Sequence, residues 1–470
     1  MIPLWTSHEI TAATGGRTKT TFAATGVSID SRTLAPGDLF VAIKGVSLDG
    51  HNFVAKALAA GAAAALVSRR PGDVADSAPL VVVPDVERAF DALARAARSR
   101  SRAKVVGITG SVGKTSTKEM LAAALSAQAR THFSSGNLNN QWGVPLSLAR
   151  LPADAAYAVI EMGMNHAGEI AHLTELVRPD VAVITTISAV HLENFNSVFE
   201  IAEAKAEIFQ SMGGGTAVLN RDNAYFPVLA CLASASGVAR IVGFGQHAEA
   251  IARLERCELE ANGSRIQAKI GGERIDYTLA IPGQQWALNS VAVLAAVRAL
   301  GADVQAAARA ISGFAGLEGR GRRHCASVPD GAFELIDESY NASPASVRAA
   351  LEVLGRAEPR GSGRRVAVLG DMLELGPTAD AMHAALAEIV EAQHVDLVFL
   401  AGPHMAALAQ ALPAGRLVAH RASAAELAAV VSGAVRAGDV VTVKGSHGMR
   451  MDRVVAVLLG GASDAGETRH

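Results

Sequence analysis

The segment from residue 105 to residue 116 constrains the fold most. It reads Val105-Val106-Gly107-Ile108-Thr109-Gly110-Ser111-Val112-Gly113-Lys114-Thr115-Ser116, which is an apolar strand, a glycine loop and a helix start. Glycines let backbone N–H groups turn inward around phosphate oxygens, and the helix N-terminus adds its positive dipole end. Lys114 is placed for the β- and γ-phosphates and the Thr115 hydroxyl for Mg2+. The loop is T-G-x-x-G-K-T rather than the strict G-x-x-x-x-G-K-[ST], because Ile108 stands where the first glycine would fall. Thr109, Gly110, Ser111, Val112, Gly113, Lys114, Thr115 and Ser116 are thus candidates for nucleotide binding. The loop fixes a ligand class and leaves the reaction open.

The rest of the chain alternates strands and helices around this loop. At about 150 residues per domain, 470 residues suggest roughly three domains. The expected division is 1–100, 101–315 and 316–470. In the first part, strands are expected at 39–43, 65–67 and 80–83, with helices at 52–60 and 86–98. The basic run Arg98, Arg100 and Arg102 reads as a solvated linker. In the second, strands at 105–109, 157–160, 181–187, 216–219 and 240–244 precede a helix at 288–300. Such alternation predicts a parallel sheet covered on both faces. Residues 314–323 (FAGLEGRGRR) are rich in Gly and Arg and read as a second linker. In the third, strands at 334–336, 366–369, 397–401 and 440–443, with helices between, predict a second doubly wound, Rossmann-like sheet. The expected fold class is three-domain α/β.

Composition removes several classes of function. Hydrophobic residues are 50% and charged residues 19% of the chain, which excludes wholesale disorder. Lys plus Arg number 43 against 45 Asp plus Glu, so no basic excess exists to neutralise a nucleic-acid backbone. Cys231, Cys257 and Cys325 are far apart and form no zinc or disulfide framework. No uncharged apolar stretch reaches the roughly 20 residues that span a bilayer, and residues 1–10 lack a secretory pattern. A cytoplasmic protein without stable membrane insertion is expected.

Several polar residues fall where a parallel sheet presents ligands. Glu161 ends the strand at 157–160, on the carboxyl edge, where it can hold Mg2+ as a hard oxygen ligand. His191 follows the strand at 181–187 onto the same edge. Lys205 sits among Ile201, Ala202, Ile208 and Phe209 at helical spacing, on an apolar stripe. A lysine there must snorkel, pair or change its chemistry. Asn137, Asn139 and Asn140 form an amide-rich stretch that could meet a polar ligand or cap its own backbone. Asp337-Glu338-Ser339-Tyr340-Asn341-Ala342-Ser343-Pro344 follows a strand and opens a helix, on another ligand edge.

Together these motifs resemble the Mur ligase family, ATP-dependent amide-forming enzymes of peptidoglycan precursor synthesis. The resemblance covers essentially the whole chain. Ser28-Ile29-Asp30-Ser31-Arg32 with residues 36–42 is similar to the family's UDP-sugar-binding domain. Residues 109–115 match its phosphate loop. The stretches 137–145, 161–170, 191–193, 337–344, 443–446 and 449–451 resemble the branch that adds D-alanyl-D-alanine to a UDP-N-acetylmuramoyl tripeptide. The resemblance implies ATP and two Mg2+ ions as cofactors, held at Lys114, Thr115, Glu161 and His191. It implies a carbamylated Lys205 facing the second metal, and Lys114, Glu161, His191 and Lys205 as the catalytic set. Asn289 would meet adenine, while Arg320, Asp337 and Asn341 would close over the nucleotide from the third domain. Asp30, Ser31 and Arg32 would face the UDP-sugar, with Asn137, Asn139 and Asn140 on substrate. The implied partners are small molecules only, and the implied protein is a monomer. The linker at 314–323 is the expected hinge.

The chain departs from the family pattern in places. The adenine motif, often His-Asn-x-x-Asn, reads Gln285-Trp286-Ala287-Leu288-Asn289, so only its last position is kept. Ser343 replaces a usual Asn, and Glu338 stands where Asp is common. Two alternatives compete with the ligase reading: the tripeptide-forming, amino-acid-adding branch of the family, and a P-loop regulator that binds nucleotide without ligation. The absence of an Asp-Asn-Pro-Arg motif argues against the first.

Overall fold

A computed structural model describes residues 3–190 and 192–460. The phosphate-loop strand, Lys104–Thr109, lies deep in a nine-stranded sheet. In spatial order the strands are Glu273–Leu279, Gly263–Ile270, Ala252–Glu260, Arg240–Gly245, Thr216–Asn220, Val181–Ile184, Lys104–Thr109, Tyr157–Glu161 and Thr131–Phe133. The run from Thr131–Phe133 to Ala252–Glu260 is parallel, Gly263–Ile270 lies antiparallel to it, and Glu273–Leu279 turns back again, antiparallel to Gly263–Ile270. Side chains alternate across the sheet, as the two-residue strand period requires. Val106 and Ile108 enter a core with the helices Lys114–Ser126, Gln284–Ala299 and Val304–Ile311. Val105 enters the opposite core, with Gly143–Ala149, Glu169–Val177 and Val198–Ala206.

The N-terminal part holds a four-stranded parallel sheet of Gly26–Ser28, Asp38–Val41, Ala64–Val67 and Leu80–Val82. The C-terminal part holds a six-stranded sheet in the order Arg322–Val328, Gly331–Glu338, Val440–Lys444, Arg365–Gly370, Leu397–Ala401 and Leu417–Arg421. Only its first strand is antiparallel. Among the described residues no helix is long and apolar enough to cross a membrane.

Three local expectations change. The strand expected at 181–187 ends at Ile184, because Thr185 and the residues after it turn toward the phosphate loop. The basic run at 98–102 is no solvated hinge. The helix Val86–Arg100 takes up its first three residues, and Arg98 donates to the carbonyls of Val177 and Arg178. Arg100 donates to the Leu4 carbonyl and stacks 3.6 Å over Trp5, whose indole donates to Ala149 O at 2.8 Å. These arginines clamp the first sheet to the second. The linker expected at 314–323 is also shorter, since a strand begins at Arg322.

Candidate active site

The phosphate loop leaves Lys104–Thr109 at Gly110. There φ is +146°, and a Cβ would meet Thr185 Oγ1 at 2.0 Å. Gly113, the residue before the helix Lys114–Ser126, has φ +90° and would place a Cβ 2.9 Å from Asn289 Nδ2. Both positions therefore need glycine. The loop is braced from the neighbouring strand: Thr185 Oγ1 donates to Val112 O at 2.6 Å, and Ser111 N donates to Thr186 O at 2.8 Å. Lys114 Nζ curls back to Gly110 O at 2.7 Å. Burial pushes its ammonium below the ordinary lysine range; Glu161 opposes this and Arg320 adds to it. Such a lysine is short of negative charge and suited to meet phosphate.

Ser111 through Ser116 line a cleft of about 510 Å³, a size suited to a nucleotide-scale ligand. Thr109 and Gly110 do not line it. Thr109 is fully buried beneath the loop, so its part is to shape the loop rather than to touch a ligand.

Glu161 projects into the same cleft and is almost fully buried. Its Oε1 accepts from Thr115 Oγ1 at 3.2 Å and from Asn139 Nδ2 at 2.8 Å. Its Oε2 is buried and has no hydrogen-bond partner among the described residues. An orphaned carboxylate oxygen beside a hydroxyl is the donor set of a hard divalent cation, so these residues fit Mg2+. Lys205 is 1% exposed, and no ion pair reaches it among the described residues. Burial drives it well below the ordinary lysine range, and the charge of Lys114 pushes the same way. His191 lies outside the described residues.

The facing wall comes from the C-terminal part. Arg320 stacks 3.9 Å over the Tyr340 ring, and Tyr340 packs against His447 with centroids 5.3 Å apart. Lys444 Nζ donates to Asn341 O at 2.9 Å and lies 3.4 Å from Glu338 Oε2. Arg320, Glu338, Tyr340, Asn341, Lys444 and His447 all line the cleft. Gln285, Trp286 and Asn289 line it from the helix Gln284–Ala299, so the altered adenine motif still faces the cavity.

Asp337 does not face the nucleotide cleft. It is buried, with Oδ2 accepting from Gly319 N at 2.7 Å and Oδ1 from Ser339 Oγ at 2.6 Å and Ser339 N at 3.1 Å. Its carboxylate is spent on organising the linker and the turn, and the cleft position falls to Glu338. Asn137 and Asn139 line the cleft, but Asn140 Oδ1 accepts from Trp142 N and Gly143 N in the turn that leads into the next helix. Asp30, Ser31 and Arg32 lie beyond the strand Gly26–Ser28, away from the cleft, with Arg32 forked onto Asp30 at 2.7–3.1 Å. Sequence reasoning passed over Lys118, one turn beyond Lys114, and Thr185, which braces the loop.

Family profiles match the chain in three successive blocks. They are "Mur ligase family, catalytic domain" over residues 23–102, "Mur ligase middle domain" over 108–297, and "Mur ligase, glutamate ligase domain" over 319–447. The UDP-N-acetylmuramoyl-tripeptide–D-alanyl-D-alanine ligase of Escherichia coli (strain K12) is 36% identical, over 92% of this chain and 93% of that enzyme. A crystal structure of MurF from Acinetobacter baumannii superposes with a TM-score of 0.84 at 30% identity, covering 98% of this chain and all of that one. The MurF ligase of Thermotoga maritima in complex with ADP gives 0.76 at 28% identity, over 93% and 97% of the two chains. With the cleft, the phosphate loop and near-full-length relatives in agreement, the chain belongs to the Mur ligase family.

Proposed function

We propose that the chain is an ATP-dependent ligase that joins D-alanyl-D-alanine to a UDP-N-acetylmuramoyl tripeptide in the cytoplasm, acting as a monomer. The observation that carries this is the single cleft in which Lys114, Thr115 and Glu161 of the middle sheet face Arg320 and Lys444 of the third. One wall suits a nucleotide triphosphate, and the other suits an anionic acceptor. Near-full-length relatives named for this reaction support the choice of substrates.

In this reading residues 1–100 bind the UDP-sugar, 101–315 bind ATP, and 316–470 complete the ATP site and receive the dipeptide. A carboxylate oxygen of the tripeptide attacks the γ-phosphorus, the bond to the β–γ bridging oxygen breaks, and ADP leaves. The dipeptide amine then attacks the acyl carbon of the acyl phosphate, loses a proton and expels phosphate. Lys114 and the loop N–H groups stabilise charge on the transferring phosphoryl group. Thr115 and Glu161, with His191, would hold Mg2+, which when bound supplies charge neutralisation at the phosphates. Lys205, whose burial disfavours the charged ammonium, is suited to take up CO2 with loss of a proton and would, as a carbamate, be a ligand for a second ion. Asn289 orients the nucleotide beside Gly113, and Arg320 covers it from the third sheet.

The test is phosphate release from ATP with the UDP-N-acetylmuramoyl tripeptide present, adding D-Ala-D-Ala or single amino acids in turn. Stimulation by D-Ala-D-Ala with a pentapeptide product is expected. Stimulation by a single amino acid alone would move the branch, and no stimulation by any amine would overturn the ligase reading.

A further inference from the structure

Lys118 is fully buried on the helix Lys114–Ser126, one turn beyond Lys114. Its Nζ donates to Gly136 O at 2.8 Å and pairs with Glu119 Oε1 at 2.9 Å. It stands 4.0 Å from Glu161 Oε2, the carboxylate oxygen without a hydrogen bond. Gly136 lies in the loop that carries Asn137 and Asn139 to the cleft, and Asn139 Nδ2 returns to Glu161 Oε1 at 2.8 Å. The contacts close a ring: Lys118 to Gly136, along the chain to Asn139, to Glu161 and back to Lys118. Burying an ammonium is costly unless it is paired and hydrogen-bonded. This one is satisfied by the loop and by an acid, and it faces the oxygen left for a cation.

We infer that Lys118 is a positioning residue with two separable effects: its charge makes divalent-cation binding at Glu161 depend on nucleotide, and its hydrogen bond holds the 136–139 loop for the tripeptide. The inference rests on the proposed ligase reading for its substrate and on the local geometry for its cation. The ammonium lies between Glu119 and Glu161, so a cation arriving alone at Glu161 Oε2 meets a fixed positive charge 4.0 Å away. A cation arriving with the phosphates of ATP brings its own negative partners. Lys118 thereby keeps the site from retaining an ion before the nucleotide is in place.

The two effects move in opposite directions when the lysine is replaced. Lys118→Met removes both the charge and the donor. It should bind Mn2+ in the nucleotide-free protein about tenfold more tightly, the scale of one partly screened charge, while KM for the tripeptide rises with a smaller change in kcat. Lys118→Gln drops the charge but keeps a donor for Gly136 O, so it should tighten Mn2+ and leave the tripeptide KM nearer the starting value. Lys118→Arg keeps the charge and should bind Mn2+ as the unmodified protein does. Mn2+ binding is read by electron paramagnetic resonance without ATP, and either neutral variant suffices. Unchanged or weaker Mn2+ binding in the neutral variants would overturn the inference, because a merely structural lysine predicts that outcome. The Mn2+ titration needs no turnover, so it stays decisive even if the phosphate-release assay rejects the ligase reading.

Discussion

Asn289 stands over Gly113 so closely that a Cβ on the glycine would lie 2.9 Å from the asparagine Nδ2. The phosphate loop and the helix Gln284–Ala299 are thus fitted to each other at one point. Gly113→Ala would force a side chain into that contact and strain the backbone at φ +90°. The expected result is an ATP affinity reduced by about tenfold or more, from roughly 1–3 kcal/mol of local strain. Tripeptide binding, measured calorimetrically without nucleotide, should stay close to that of the unmodified protein. Equal loss of both affinities would mean that the glycine supports the fold at large.

The Glu161 carboxylate is held by Thr115 and Asn139 on one oxygen and carries no hydrogen bond on the other, which Lys118 approaches to 4.0 Å. Glu161→Gln keeps the shape and the Oε1 acceptor but removes the negative charge. A fall in kcat on the order of 10²–10³, as for loss of an electrostatic stabiliser, is expected. Half-saturation by Mg2+ should move to higher concentration, while UDP-sugar binding is kept. A variant with unchanged kcat and Mg2+ dependence would remove Glu161 from the metal site.

Asp337 accepts three hydrogen bonds, from Gly319 and from the backbone and side chain of Ser339. It joins the linker to the strand that carries the facing wall of the cleft. Asp337→Ala would leave the buried Gly319 N–H and the two Ser339 donors without their acceptor, costing about 3–9 kcal/mol if each unmet group follows the usual penalty of about 1–3 kcal/mol. The expected outcome is a lower unfolding midpoint in urea together with weaker ATP binding. Loss of ATP affinity with no change in stability would restore Asp337 to direct nucleotide contact.

Much of this site was legible in the sequence, for reasons that differ by residue. Glycine spacing and a lysine–threonine pair specify a phosphate loop locally, so residues 110–116 needed no tertiary information. Lys205 betrayed its burial through Ile201, Ala202, Ile208 and Phe209 on the same helical face. The direction of a carboxylate is not a local property, and so Asp337 and Glu338 exchanged roles between sequence and structure. Lys118 sits beside Glu119 on a helix and reads as an ordinary charged pair until Gly136 and Glu161 are brought to it. The strands Ala252–Glu260, Gly263–Ile270 and Glu273–Leu279 went unread because their outer faces carry Arg, Glu and Lys. Their inner faces do alternate, with Ile266, Ala268 and Ile270 buried against Ile275, Tyr277 and Leu279. That is the period-two signal of a sheet solvated on one side, rather than the apolar runs of the parallel strands.

His383 supplies a pH dependence away from the metal site. It is fully buried, its Nε2 accepts from Met372 N at 2.9 Å, and its Nδ1–H donates to Ala379 O at 2.7 Å. The Met372 amide must have an acceptor, so the ring is held neutral. Burial pushes its pKa below the ordinary histidine value; the Ala379 carbonyl, Asp371 and Asp380 oppose this, and the stacked His404 reinforces it. Above the ordinary histidine pKa both folded and unfolded chains carry a neutral ring, and the residue contributes no slope. As pH falls through that value the unfolded chain takes the proton first, so stability declines until the lowered folded value is reached. The segment from Met372 leads into Leu373, Glu374 and Leu375 at the rim of the cleft, so this loss should loosen the rim before the rest. His383→Gln can still offer an amide oxygen to Met372 N and does not titrate. Chemical denaturation from pH 7.5 down to 5.5 should therefore give a shallower decline for this variant than for the unmodified protein. Parallel declines would show that other groups carry the acid sensitivity.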